Sequence, residues 1–244
     1  MFGRKFLIFI FFSTFLFGQK NVENQQLLWY GYYNKLQINQ NWVLNSEVQE
    51  RHFYQPLVQH QLVFRTNLDR RILDDINVSL GFVVFLQSPN DPESESTLMV
   101  PELRTDFGFN AKKKYKYFNV NQRFKVESRF FHQTENNELV GGYQFSNFRM
   151  RYQLGLDIPL IKKQDAEKLI LKIKDEVMFN FGKNIVKNVF DQNRIYIGLN
   201  YPMNKNLAFE AGYLNWFQQR PSGTDFYNRD IIRFSVFHKI NLKK

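Results

Sequence analysis

The sequence predicts an all-β fold: an antiparallel transmembrane β-barrel of about 10–12 strands, preceded by a cleaved signal peptide. Three observations predict it. Polar and apolar residues alternate with a period of two along most of the chain, as they do where side chains point to opposite faces of a strand. No apolar stretch after the first 18 residues reaches the roughly 18 needed for a spanning helix. Shorter and longer polar connections separate the alternating segments in turn, which suits a barrel with tight turns at one mouth and loops at the other.

Residues 146–158 show the alternation most clearly. Phe148, Met150, Tyr152, Leu154, Leu156 and Ile158 share one face, and Arg149, Arg151, Gln153, Gly155 and Asp157 share the other. In 118–131 the polar face carries Asn119, Asn121, Arg123, Lys125, Glu127 and Arg129, and the other face carries Phe118, Val120, Phe124, Val126 and Phe130. In 193–201 Ile195, Ile197, Leu199 and Tyr201 oppose Arg194, Tyr196, Gly198 and Asn200.

Eleven segments are read in this way: 27–36, 42–53, 59–69, 76–87, 101–111, 118–131, 146–158, 169–181, 193–201, 207–218 and 231–242. Bacterial single-chain barrels normally close with an even number of strands, so ten or twelve is the expectation. The polar stretch 19–26 is read as too short for a strand. Connections 37–41, 70–75, 112–117, 159–168 and 202–206 form the short set. Connections 88–100, 132–145, 182–192 and 219–230 form the long set, assigned to the outer side. Glu50 and Asp175 fall on the apolar face. Asp175 is expected to mark a bulge that shifts the register.

The chain start reads as an export signal. Arg4 and Lys5 precede a short apolar run from Phe6 to Phe17, and polar residues follow Gly18. The domain reading is a signal peptide over 1–18 and one barrel over 19–244. There is no cysteine, so neither a disulfide framework nor a thiolate site is available. Twenty-seven Phe, 12 Tyr and three Trp suit a wide apolar face. The net charge of +10 raises nucleic acid as a partner, but export and the scatter of the basic residues argue against it. The expected partners are outer-membrane lipid and lipopolysaccharide, the barrel-assembly machinery during insertion, and a small anionic solute. The expected location is the outer membrane.

With the polar faces turned inward, the lumen gathers a charge network. Its candidate residues are Arg123, Glu127, Arg129, Arg149, Arg151, Glu176, Arg194 and Glu210. Charges held in a narrow, poorly hydrated lumen need partners, and Arg–carboxylate pairs supply them. The network reads first as a structural brace and second as a narrow path that favours anions. Catalysis finds little support. The four histidines, His52, His60, His132 and His238, read as residues of the membrane interface. Ser128 and His132 share a face but lie about 13 Å apart on a strand. No nucleophile motif, metal motif or cofactor motif is read. The alternatives are a lipid-modifying hydrolase or acyltransferase of the outer membrane, and a soluble periplasmic β-protein that binds an anionic ligand.

A series of short motifs runs through the chain in order. Trp29 is followed by Glu47 to Arg51, Glu102-Leu103-Arg104, Arg123 with Glu127-Ser128-Arg129, and Arg149-Met150-Arg151-Tyr152. Asp175-Glu176-Val177, Asp191-Gln192-Asn193-Arg194, Gly198-Leu199-Asn200-Tyr201 and Gly212-Tyr213-Leu214-Asn215 come next. In this order the motifs resemble an uncharacterised family of outer-membrane barrels, domain of unknown function 2490. The resemblance implies the barrel and its location, and implies no substrate or catalytic residue.

Overall fold

Eleven strands form one closed barrel, in a computed structural model that describes residues 21–164, 166–185 and 187–242. The expected leader at 1–18 lies outside the described residues. The strands are β1 (Val22–Gln37), β2 (Trp42–Phe53), β3 (Gln59–Leu73), β4 (Ile76–Gln87), β5 (Val100–Lys114), β6 (Asn119–Glu135), β7 (Glu138–Lys163), β8 (Ala166–Phe181), β9 (Phe190–Pro202), β10 (Leu207–Gln219) and β11 (Phe226–Asn241). Each segment read from the alternation corresponds to one strand.

Several strands run past their expected ends. The stretch 132–145, expected as a long loop, belongs mostly to the β6–β7 hairpin. Asn136 and Asn137 turn it with φ of 49° and 63°. A two-residue hairpin loop of type I′ needs left-handed backbone at both positions, and Asn adopts it more readily than most residues. At 159–168, β7 continues to Lys163 and β8 begins at Ala166, with Gln164 at φ 48° between them. The polar stretch 19–26 also departs from expectation. From Val22 onward it is the start of β1, with Val22 beside Phe226.

Consecutive strands pair antiparallel, and β1 closes the ring on β11 in parallel, from Val22↔Phe226 to Gln37↔Asn241. The even strand number expected from the sequence is therefore corrected to eleven. In an up-and-down chain direction alternates, so the first and last of an odd number of strands run the same way. A parallel ladder along the whole of β1 covers both edges as an antiparallel one would.

The two faces sort as the alternation predicts. Arg149, Arg151 and Asp157 are buried inside, while Tyr152 and Leu154 are exposed outside. Leu80, Ile195, Ile197, Phe209 and Phe234 continue the exposed apolar band around the wall. Pairing through Asp175 is regular, with Leu154 and Ile195 beside it on the same face, so the bulge expected there is not the cause of its position. Asp175 points outward and accepts a 2.6 Å hydrogen bond from Asn193 Nδ2.

Bulges occur elsewhere. Arg51 pairs with Gln61 and His52 with Gln59, which leaves His60 as the extra residue. His60 therefore turns inward together with Gln61 and is fully buried, not at an interface. Opposite Met178/Phe179 the extra residue is Asp191, which turns inward together with Gln192. His52 stays on the outer face, 2.9 Å from Glu50. His238 bonds Tyr32 OH at 2.8 Å there, and His132 packs edge-on against Tyr143.

Candidate functional site

The lumen holds two kinds of arginine. The first kind is bound to carboxylates; most of it lies on β5–β9, and Arg65 on β3 pairs with Glu47 on β2. Glu127 is its centre, with no exposed surface. Its neighbour in register, Arg149, grips it through Nε at 2.8 Å and through Nη2. Arg151 Nη1 donates to its other oxygen at 2.5 Å. Arg151 continues to Glu176, with Nη2 at 2.8 and 2.9 Å from the two oxygens, and Arg123 meets the same carboxylate at 2.8 Å. Arg149 Nη1 also reaches Asp191 at 3.1 Å.

Towards the other side, Arg104 Nη1 lies 3.8 Å from Glu127 and holds Glu102 in a fork with two bonds of 2.6 Å. Arg129 Nε adds a third bond of 2.6 Å to Glu102. A continuous ladder thus runs from Arg129 through Glu102, Arg104, Glu127 and Arg151 to Glu176 and Arg123. Such bidentate, charge-assisted pairs are the strong ones. Six of the eight expected residues, Arg123, Glu127, Arg129, Arg149, Arg151 and Glu176, meet in it.

Arg194 and Glu210 stand apart. Glu210 accepts from Tyr196 OH at 2.8 Å and from Asn200 at 3.2 Å, with Lys174 at 4.0 Å. Gly198 and Gly212, opposite each other on β9 and β10, leave the space that Tyr196 occupies. A Cβ on either would come within 2.6 Å of its hydroxyl.

Arg194 belongs to the second kind, found on β2, β9 and β11. Arg51, Arg194, Arg229 and Arg233 have no carboxylate within 4 Å among the described residues. Aromatic rings and neutral oxygens hold them instead. Arg51 lies 3.9 Å over Trp29 and donates to Gln49 and Gln61. Arg194 sits 4.5 Å over Trp216 and donates to Gln192. Arg229 sits over Trp216 and Tyr227 and donates to Gln25, Gln218 and Asn90. Arg233 donates to Tyr33 OH at 2.6 Å. Trp29 and Trp216 meet edge to face at 5.6 Å, within an apolar cluster that includes Leu27, Phe53, Tyr196, Leu214 and Ile231.

Asn90, on the loop 88–99 after β4, crosses this mouth. Its side-chain oxygen accepts from Arg229 on β11 at 3.0 Å, and its carbonyl accepts from Gln25 on β1 at 2.9 Å. Two cavities of the barrel interior share no lining residue, and Asn90 lines the larger of them. One, of about 500 Å³, opens at the short-turn mouth around Glu47, Arg65, Asp69 and Lys125. The other, of about 600 Å³, lies at the long-loop mouth around Arg51, Arg104, Arg194 and Trp216. Glu127, Arg151, Trp29 and Tyr196 line neither.

Arg51, Glu102 and Arg104, which stand in the ordered sequence motifs but not among the candidate residues, are also buried inside. Sequence reasoning missed Asp191, Arg229 and Asn90. Continuing the alternation of β11 back by two residues from Ile231 would have found Arg229. A bulge turns Asp191 inward and a loop carries Asn90, so alternation holds no signal for either. Among the described residues, no group of three His, Asp or Glu side chains is gathered to hold a metal.

A closed all-β barrel with a charged interior is the class of protein that this architecture defines. The chain belongs to the family described as "Protein of unknown function (DUF2490)", whose model matches residues 26–228. No curated protein and no solved structure matches it.

Proposed function

We propose that the protein is an outer-membrane barrel that acts as a closed, braced element of the wall. The observation that carries the reading is its inside-out distribution of polarity. Tyr152, Leu80, Ile195, Phe209 and Phe234 are all 40% or more exposed, whereas Glu127 and Arg229 are 0% exposed. Water-soluble monomers seldom leave an apolar band around the whole circumference, and a lipid-embedded barrel requires one. The buried ladder and the Trp29–Trp216 cluster, lying between two separate cavities, support a lumen closed to wide flow.

Two measurements test this. The exported chain is expected to fractionate with outer membranes and to migrate differently on gels before and after heating. A Met150→Cys or Leu80→Cys variant should be shielded from water-soluble thiol reagents in intact membranes. Recovery of the protein as a soluble species, or strong labelling at position 150, would overturn the reading. In planar bilayers the protein is expected to be silent or to conduct only in small steps. A second reading, passage of a small anionic solute, is favoured by the excess of basic residues around both cavities. A large, steady conductance would favour it over the closed wall.

A further inference from the structure

We propose that the cavity at the long-loop mouth is a binding site for a small oxyanion, a carboxylate or phosphate group, with Arg51, Arg194 and Trp216 as its floor. The proposal deepens the solute reading of the lumen. It rests on the barrel interior and not on the protein's location.

The supply of charge in the cavity points to this ligand. Seven of the lining residues are Arg or Lys, and two, Glu102 and Asp191, are carboxylates. Both carboxylates are already committed. Glu102 takes three bonds from Arg104 and Arg129, and Asp191 takes bonds from Arg149, Asn180 and Gln192. These pairs use up Arg104, Arg129 and Arg149, and Arg220 is paired with Glu23 at 3.0 Å. Among the described residues, Arg51, Arg194 and Lys187 remain without a counter-charge within 4 Å. Glu176 is the register partner of Arg194, but it is held by Arg151 and Arg123.

Hydrogen-bond donors are also left over. Arg194 uses Nε and Nη2 on a single oxygen of Gln192, and among the described residues its Nη1 makes no hydrogen bond. Trp216 is 2% exposed, and its Nε1 has no hydrogen-bond partner among the described residues. Gln61, Gln87, Asn90, Gln192 and Gln218 add amides around the wall. Unpaired cations are expensive to bury, and a fork of guanidinium donors fits the two oxygens of a carboxylate or phosphate. The volume of about 600 Å³ lies within the range of roughly 300–1,000 Å³ common for small-molecule sites. Arginines flank the face of Trp216, so an anionic group suits this floor better than a stacked neutral sugar.

The test is a fluorescence titration of the folded, detergent-purified barrel. A Trp42→Phe change leaves Trp29 and Trp216, both beside the site, as the emitters. Inorganic phosphate and citrate are the probes, with chloride and glucose as comparisons at constant ionic strength. The expected result is a saturable change with phosphate or citrate, weakened at least about tenfold by Arg194→Gln, the loss expected for a charge-assisted bond. Lys205→Gln, at the opposite mouth, should leave it unchanged. Whichever probe binds more tightly identifies the group as phosphate or carboxylate. Heat-modifiable migration checks that each variant is folded, and Arg51→Gln replaces Arg194→Gln if the latter is not. No saturable response to either probe, a chloride response of equal size, or a folded Arg51 or Arg194 variant of unchanged affinity would overturn the proposal. A failed titration with correct membrane fractionation would remove the site and leave the barrel reading intact.

Discussion

Two halves of one lumen neutralise buried arginines by different means. On β5–β9, Arg104, Arg123, Arg129, Arg149 and Arg151 are matched by Glu102, Glu127, Glu176 and Asp191. On β2, β9 and β11, Arg51, Arg194, Arg229 and Arg233 rest on Trp29, Trp216, Tyr227 and Tyr33, with amides or a hydroxyl as acceptors. A carboxylate pair is strong while intact, and losing one member strands the other in a poorly hydrated space. A cation over a ring is weaker, but its removal strands no charge. The first half therefore suits a brace, and the second leaves cationic donors free to meet a ligand.

The largest effect should come from breaking the brace at its centre. Glu127→Ala leaves Arg149 and Arg151 each short of a carboxylate, and the expected loss is about 3–5 kcal/mol or more. Arg51→Met is the matched change in the other half. It removes a cation–π contact worth about 2 kcal/mol or less, and leaves Gln49 and Gln61 with only amide bonds to replace. Urea unfolding in vesicles, read by the heat-modifiable gel shift, compares the two. Equal losses would erase the distinction between the halves.

The sequence made this division only half legible. Alternation assigns a face to each residue, and for the strand residues of the ladder that face is the one occupied. It does not give height along the barrel axis. Whether Glu176 meets Arg151 or Arg194 depends on side-chain reach and on strand stagger, neither of which a period of two encodes. Arg194 looked like a member of the network for that reason. Bulges at His60 and Asp191 shift a single residue across the wall, and local composition gives no sign of them. The parallel closure was hidden as well, because it joins strands at opposite ends of the chain.

A smaller contrast lies in the glycines. Gly198→Ala and Gly212→Ala should each cost about 1–3 kcal/mol, because the added methyl meets Tyr196 or nearby backbone and pushes the hydroxyl off Glu210. Gly155→Ala, in the carboxylate half, should be neutral or slightly stabilising. Its nearest atoms lie at 3.5 Å or beyond, an ordinary contact, and Ala loses less conformational freedom than Gly. The same unfolding assay checks all three. A destabilised Gly155→Ala would show tighter packing around Lys174 and Asn121 than the ladder side is expected to have.

The smallest expected effect concerns the outer face, where neither half's logic applies. Asp175 sits in the middle of β8 between the outward residues Leu154 and Ile195, and it accepts a hydrogen bond from Asn193 at 2.6 Å. In water, an exposed carboxylate in such a contact contributes about 1 kcal/mol or less. Against hydrocarbon the same charge is unfavourable, by less than the roughly 2–4 kcal/mol found for Arg or Lys at mid-bilayer. Asp175→Leu should therefore stabilise the barrel by on the order of 1 kcal/mol in vesicles, provided lipid covers this level of the wall. The gain should shrink in thinner bilayers, where position 175 comes closer to the interface. A net loss in every bilayer would mean that the wall around β8 faces water, and the apolar band would then need a different cover there.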